Sequence, residues 1–207
     1  MPTVPDHIFI CTSPGAPAAE LLTQLGLTEG AANRHPGQGT ACRRFFFSND
    51  MLELLWMEDE TEARGEQTRA TRLADRFSGL PKACPFGVVL KPAPGTDAAC
   101  PWPSWTYRPS TMPGLELEIA EDTSLAEPMW CFMKVAGPRR AQPMEHPAGL
   151  REITGIRITG PSTRTIVSGG LIELQTGEEY LLELEFDRAA QCRQRDFRPA
   201  LPLIVSF

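Results

Sequence analysis

The chain is short of the features that mark several large functional classes. No apolar run reaches the roughly 18–20 residues that a membrane-spanning helix needs, and the start, MPTVPDHIFICTSPGAP, lacks a basic segment leading into a long apolar one. A membrane partner is therefore not expected, and a cytoplasmic location is. Basic excess is also missing: the formal net charge is -6. Nucleic acids and anionic lipids select for basic patches, so nucleic acid is not an expected partner. The six cysteines (Cys11, Cys42, Cys84, Cys100, Cys131, Cys192) stand singly, with no CxxC pair. That spacing suggests neither a disulfide framework nor a structural zinc site and reads mostly as reduced core thiols. There is no serine nucleophile elbow. The one glycine-rich turn, Gly37-Gln38-Gly39, lies between strands rather than opening a helix, so a nucleotide cofactor is not expected.

What is present is an ordinary globular composition, 42% hydrophobic and 22% charged, too apolar for a disordered chain. With 207 residues, one large domain or two fused modules can each bury a core. The 20 prolines and 17 glycines gather at 79–114 and 137–149, which reads as loops. Apolar alternation predicts a strand at His7 to Cys11, and Leu21, Leu22 and Leu25 at helical spacing predict a helix over Ala16 to Leu25, stopped by Gly26. Three strands follow at Ala31 to His35, Ala41 to Phe47 and Met51 to Trp56, giving a βαβββ order. A module boundary is expected near residue 80, dividing the chain into 1–80 and 81–207. In the second part, strands are expected at Phe86 to Leu90, Leu115 to Ile119, Met129 to Val135, Ile153 to Thr159, Gly170 to Gln175, Tyr180 to Phe186 and Leu203 to Phe207. Pro101 to Pro113 is expected as loop. DHIFICTSP beside TGIRITGPS, and DMLELLWMED beside EYLLELEFD, suggest a weak internal repeat in which only Ser162 to Ser168 answers to the helix. The fold class is therefore α+β, with a β-rich second half that has few helices.

Strand parity locates the candidate chemistry. If Ile8, Ile10, Leu52, Leu54 and Trp56 pack on the helix, then His7, Phe9, Met51, Glu53 and Leu55 share the other face. A glutamate within an apolar strand costs several kcal/mol to desolvate unless a partner or cation satisfies it, by order of magnitude. An imidazole and a carboxylate converging in a cleft form half a shell for a divalent ion such as Zn, Fe, Mn or Ni, or a hydrogen-bonding pair for a ligand. His35 and His146 each precede a proline and read as structural turn residues. Arg43 and Arg44 point to opposite faces of one strand, so only one can face a ligand. Phe9, Trp56, Tyr107 and Trp130 are aromatic candidates for lining a pocket, with Arg43 as the anion-binding candidate.

DHIFICTSP, LLTQLGL, HPGQGT and MLELLWMED, in that order over about residues 6 to 58, resemble the glyoxalase-like branch of the vicinal-oxygen-chelate superfamily, which includes glyoxalases, bleomycin-resistance proteins and dioxygenases. The resemblance implies paired βαβββ modules forming a cupped mixed sheet. It also implies a divalent metal held by histidine and glutamate from the first and last strands of each module. It carries metal-ligand roles to His7 and Glu53 and leaves Glu183 or Glu185 as catalytic base or further ligand. The strand taken to match the first has Gly155 in place of a second histidine. Two expectations stay open: metal-dependent lyase, isomerase or dioxygenase chemistry on a small molecule, and metal-free, drug-sequestering binding in the same cup. A homodimer is compatible with either.

Overall fold

The computed structural model describes residues 2–78, 83–109, 114–134, 141–162 and 170–207. The first module runs β1 (Thr3–Cys11), α1 (Ala19–Leu25), β2 (Asn33–His35), β3 (Thr40–Phe46) and β4 (Met51–Met57). Gly26 ends α1 in a left-handed conformation, φ 101°, that lets its N–H reach back to the carbonyls of Leu22 and Thr23. The strands lie in the order β2-β3-β4-β1, with β1 and β4 parallel. Two short helices follow, α2 (Glu60–Ala63) and α3 (Leu73–Arg76).

Then come β5 (Phe86–Pro92), β6 (Ser104–Tyr107), β7 (Leu117–Ala120) and β8 (Met129–Phe132). They extend the same sheet in the order β5-β8-β7-β6, with β5 parallel to β8. This mirrors the first module strand for strand, with a loop in the place of a helix between β5 and β6. β6 falls inside the expected loop. Its flanking prolines, Pro103 and Pro109, lie outside the paired residues of an edge strand, where a missing N–H costs no ladder bond. The two halves join through antiparallel β1 and β5 into one eight-stranded sheet.

β9 (Ile153–Gly160), β10 (Ile172–Thr176), β11 (Leu181–Phe186), β12 (Gln194–Asp196) and β13 (Leu203–Ser206) form a separate five-stranded sheet, ordered β10-β9-β11-β13-β12. The internal likeness read between residues 7–56 and 153–186 is corrected here. β9 and β11 run antiparallel, whereas β1 and β4 run parallel, so the shared apolar phase reflects only that each strand buries one face. The partner of the first module is residues 86–132, and the range 81–207 holds strands of both sheets. Apart from Ser162, the segment weighed as a remnant helix lies outside the described residues, as does Val135.

The second sheet and α1 share the outer face of the large sheet. Ile8, Ile10, Leu22, Leu54, Phe86, Val88 and Trp130 form one buried cluster with Ile156, Leu182, Leu184, Phe186 and Val205. Phe47 packs against Phe186 in a tilted ring contact at 4.7 Å, and the Tyr180 ring meets Phe86 edge-on at 6.5 Å. The small sheet thus covers apolar surface of the second module, whose described residues include no helix. On the inner face, Phe9, Cys42, Leu55, Leu73, Val89, Tyr107, Ile119, Met129 and Cys131 form a second cluster, the floor of a cup.

One contact sets that floor. Phe9 pairs across the sheet with Gly87, and any Cβ at Gly87 would overlap the Phe9 ring. Gly87→Ala is expected to displace the ring and destabilise the fold by about 1–3 kcal/mol, measured by denaturant unfolding. An unchanged midpoint would show that the ring is free to move.

Candidate functional site

The cup is a cavity of about 210 Å³ with two unlike walls. From the first module, β1, β2, β3 and β4 present His7, Asn33, His35, Arg44 and Glu53, with Gln38 from the connecting turn. From the second module, β5 to β8 present Val89, Tyr107, Leu117, Ile119, Met129 and Cys131. Among the described residues that line the second wall there is no histidine or carboxylate. Glu118, the acidic residue of β7, is engaged elsewhere, accepting hydrogen bonds from Ser104 and Thr106.

His7 is held from behind. Its Nδ1–H donates to Asp6 Oδ2 at 2.9 Å, and Lys91 Nζ donates to Asp6 Oδ1 at 2.9 Å. This leaves Nε2 facing Glu53 Oε2 at 3.8 Å, too long for a hydrogen bond. Burial by itself lowers the basicity of His7. The hydrogen bond to Asp6 and the charges of Glu53, Asp6 and Asp50 outweigh it, leaving the imidazole above its ordinary value of 6.5. Asp50 is buried at the start of β4, where its Oδ1 accepts the N–H of Met51 and burial pushes its carboxyl up to about 7.

Glu53 is 6% exposed in the middle of an apolar strand. On the same inward face, β-pairing sets Thr40 opposite Met57, Cys42 opposite Leu55 and Arg44 opposite Glu53, while Asn33 lies opposite Cys42. His35, Cys42 and Glu53 are thus diagonal neighbours on three adjacent strands, and their donor atoms lie within 4.8 Å of one another. One nitrogen of the His35 ring meets Thr40 Oγ1 at 3.0 Å, and the other meets the Asn33 amide at 2.9 Å. Burial, with Arg44 and His7 nearby, holds His35 below its usual value despite the opposing charge of Glu53. Burial, with the Glu53 carboxylate beside it, pushes the Cys42 thiol well up.

The residues expected from the sequence separate into two groups. His7, Glu53, Phe9 and Tyr107 all line the cup. The other five lie elsewhere. Trp56 and Trp130 belong to the outer face, where Trp130 is 1% exposed against Trp102. Arg43 points outward and binds Glu29 and Glu20, with Nε 2.7 Å from Glu29. It is Arg44 that faces the cup. Glu183 and Glu185 sit on β11 of the small sheet, on the face opposite its core residues Leu182 and Leu184. There Glu183 pairs with Arg157 at 3.5 Å and Glu185 accepts a hydrogen bond from Thr154. His35 and Cys42 read from the sequence alone as a turn residue and a core thiol. The parity that groups His7 with Glu53 also groups them with Glu53 once β2, β3 and β4 are in register.

A folded-state rise in the His7 pKa adds stability that is full below about 6.5 and is lost as pH climbs through the folded value. Asp6→Asn is expected to lower the His7 pKa in an NMR titration of its imidazole. It should cost about 1–3 kcal/mol at pH 6 and less at pH 9. A pKa unmoved by the substitution would mean that Asp6 does not hold the ring.

Residues 6–90 match the family model described as glyoxalase-like domain. No curated protein matches the chain. Among solved structures, the chain is similar to the crystal structure of a hypothetical protein from Staphylococcus aureus, with 10% identity, 99% of each chain covered and a TM-score of 0.54. A hypothetical protein from Bacillus halodurans C-125 shares 15% identity over 68% of this chain and 100% of that one, with a TM-score of 0.42. At these identities the likeness to the Staphylococcus aureus protein is one of fold alone. Residues 6–90 of this chain are thus similar to a glyoxalase-like domain, set in a mixed sheet consistent with the vicinal-oxygen-chelate superfamily.

Proposed function

We propose that the chain binds a small molecule in the cup, its apolar body against the second-module wall and a polar head at His7 and Glu53. The observation that carries this reading is the asymmetry of the cavity: hydrogen-bonding groups on one side, and Val89, Leu117, Ile119 and Met129 on the other. Apolar area supplies affinity and a few fixed polar groups supply orientation, which is the usual division in small-molecule sites. Phe9 and Tyr107 add aromatic surface at the floor. Methionines at positions 51, 129 and 133 line the same space with side chains that adapt to irregular shapes.

The metal-dependent reading has a test in the donor set. His7 Nε2 and Glu53 Oε2, 3.8 Å apart, could both reach one ion at ligand distances of about 2.0–2.2 Å. The remainder of a shell drawn from both modules does not fit, because the described inward positions of β5 and β8 are Gly87, Val89, Met129 and Cys131, none a histidine or carboxylate. Glu183 and Glu185 lie on the small sheet, outside the cup, and take no part in its chemistry. Binding of a small molecule without an ion shared between the modules is the reading better supported by that wall. A pair of small-sheet glutamates engaged with Arg157 and Thr154 supports it further.

The test is saturation-transfer NMR on a panel of small ketones, carboxylic acids and amines with aliphatic or aromatic bodies, run in the presence of EDTA. Hits should bind with affinity reduced about tenfold or more in Glu53→Gln, the cost of one hydrogen bond to a charged group. They should be lost in Ile119→Trp, which fills the apolar side, and unchanged in Glu183→Gln. Equal binding by wild type and Ile119→Trp would place the ligand elsewhere.

A further inference from the structure

Among the described residues no basic group comes closer to Glu53 than His7 Nε2 at 3.8 Å, although the Glu53 side chain is almost fully withdrawn from water. A carboxylate in that position costs several kcal/mol by order of magnitude unless a cation or strong donors offset it. The groups within reach are the thiol of Cys42 and the ring of His35, whose donor atoms lie within 4.8 Å of a carboxylate oxygen. All three side chains come from neighbouring strands of the first module, so backbone pairing fixes their spacing without any contribution from the second. The set is mixed in hardness: one imidazole, one sulfur and one carboxylate. That combination suits a borderline divalent ion of the zinc or cobalt kind better than magnesium or calcium, which take oxygen.

We propose that His35, Cys42 and Glu53 form a binding site for a zinc-class divalent cation, built wholly within the first module and displaced from the position that would be shared between modules. His35 is oriented by Thr40 through one ring nitrogen, the second-shell arrangement typical of ligating imidazoles. Ligation through the other nitrogen exchanges the Asn33 amide for the ion. Cys42 is 0% exposed and binds as thiolate, so its S–H proton leaves to solvent as the metal–sulfur bond forms. Three protein ligands leave a fourth position open. Glu53 lines the cup, so that position is available to water or to an oxygen of a molecule held there. The site goes beyond the cup-binding reading and does not depend on it, since small-molecule binding in EDTA tests the cup alone.

The experiment is titration of the full chain with Co(II) and with Zn(II), after stripping with chelator and under reducing conditions, with folding of each variant checked by circular dichroism. The expected result is about one ion per chain, a near-ultraviolet thiolate-to-cobalt charge-transfer band, and displacement of cobalt by zinc with proton uptake and release balanced. The band should vanish in Cys42→Ser, persist in Cys131→Ser, and weaken at least tenfold in apparent affinity in His35→Ala and Glu53→Gln. His7→Ala should retain it. Paramagnetic shifts of the His35 ring in cobalt-loaded wild type provide the same assignment should a variant not fold. No stoichiometric binding overturns the proposal. So does binding without the thiolate band that disappears in His7→Ala, which would place the ion at His7 and Glu53 instead.

Discussion

The antiparallel pairing of β1 with β5 is the constraint on which the cup depends. It sets Phe9 against Gly87 and His7 against Val89, placing the polar first-module wall directly beside the apolar second-module wall. Backbone hydrogen bonds between neighbouring strands repeat at a fixed spacing. A shift of one residue would turn His7 and Phe9 to the outer face and bring Ile8 and Ile10 into the cup. The register is specified from both sides, by the Phe9 ring occupying the space Gly87 leaves and by the Ile8, Val88 and Trp130 contacts beneath it.

The second module reached the same strand plan without the same parts. Between β5 and β6 a loop stands where the first module has α1, and the small sheet supplies the apolar cover. Phe186, Leu182 and Leu184 take the role of a helix face: they exclude water from Phe47, Phe86 and Val88. The arrangement explains why Glu183 and Glu185, alternating with those residues, face away from the large sheet. A carboxylate pointing the other way would be buried in the densest part of the core.

Charge in the cup is arranged in a line. Lys91, Asp6, His7 and Glu53 alternate in sign toward the cavity, with the first two contacts at 2.9 Å and the last at 3.8 Å. Alternation is what makes several ionisable groups tolerable with so little exposure, because each offsets the desolvation of the next. The chain fixes one His7 nitrogen and leaves the other for whatever enters the cup.

Periodicity in the sequence was enough to place β1, α1, β3 and β4 and to put His7, Phe9 and Glu53 on one face, since alternation within a strand is local and needs no partner. The Pro/Trp-rich stretch hid β6, because the prolines that argue against a strand sit just beyond its paired residues. Arg43 and Arg44 showed that one of the two faces inward but not which, as that depends on the pairing of β3 with β4. Which stretch pairs with the first module was beyond sequence alone: residues 153–186 and residues 86–132 both carry strands of matching apolar phase. Only tertiary structure decided between them, because parallel or antiparallel pairing and the choice of neighbour are set by long-range hydrogen bonding and burial. The same long-range register brought His35 and Cys42 to Glu53, three residues whose meeting no spacing along the chain encodes.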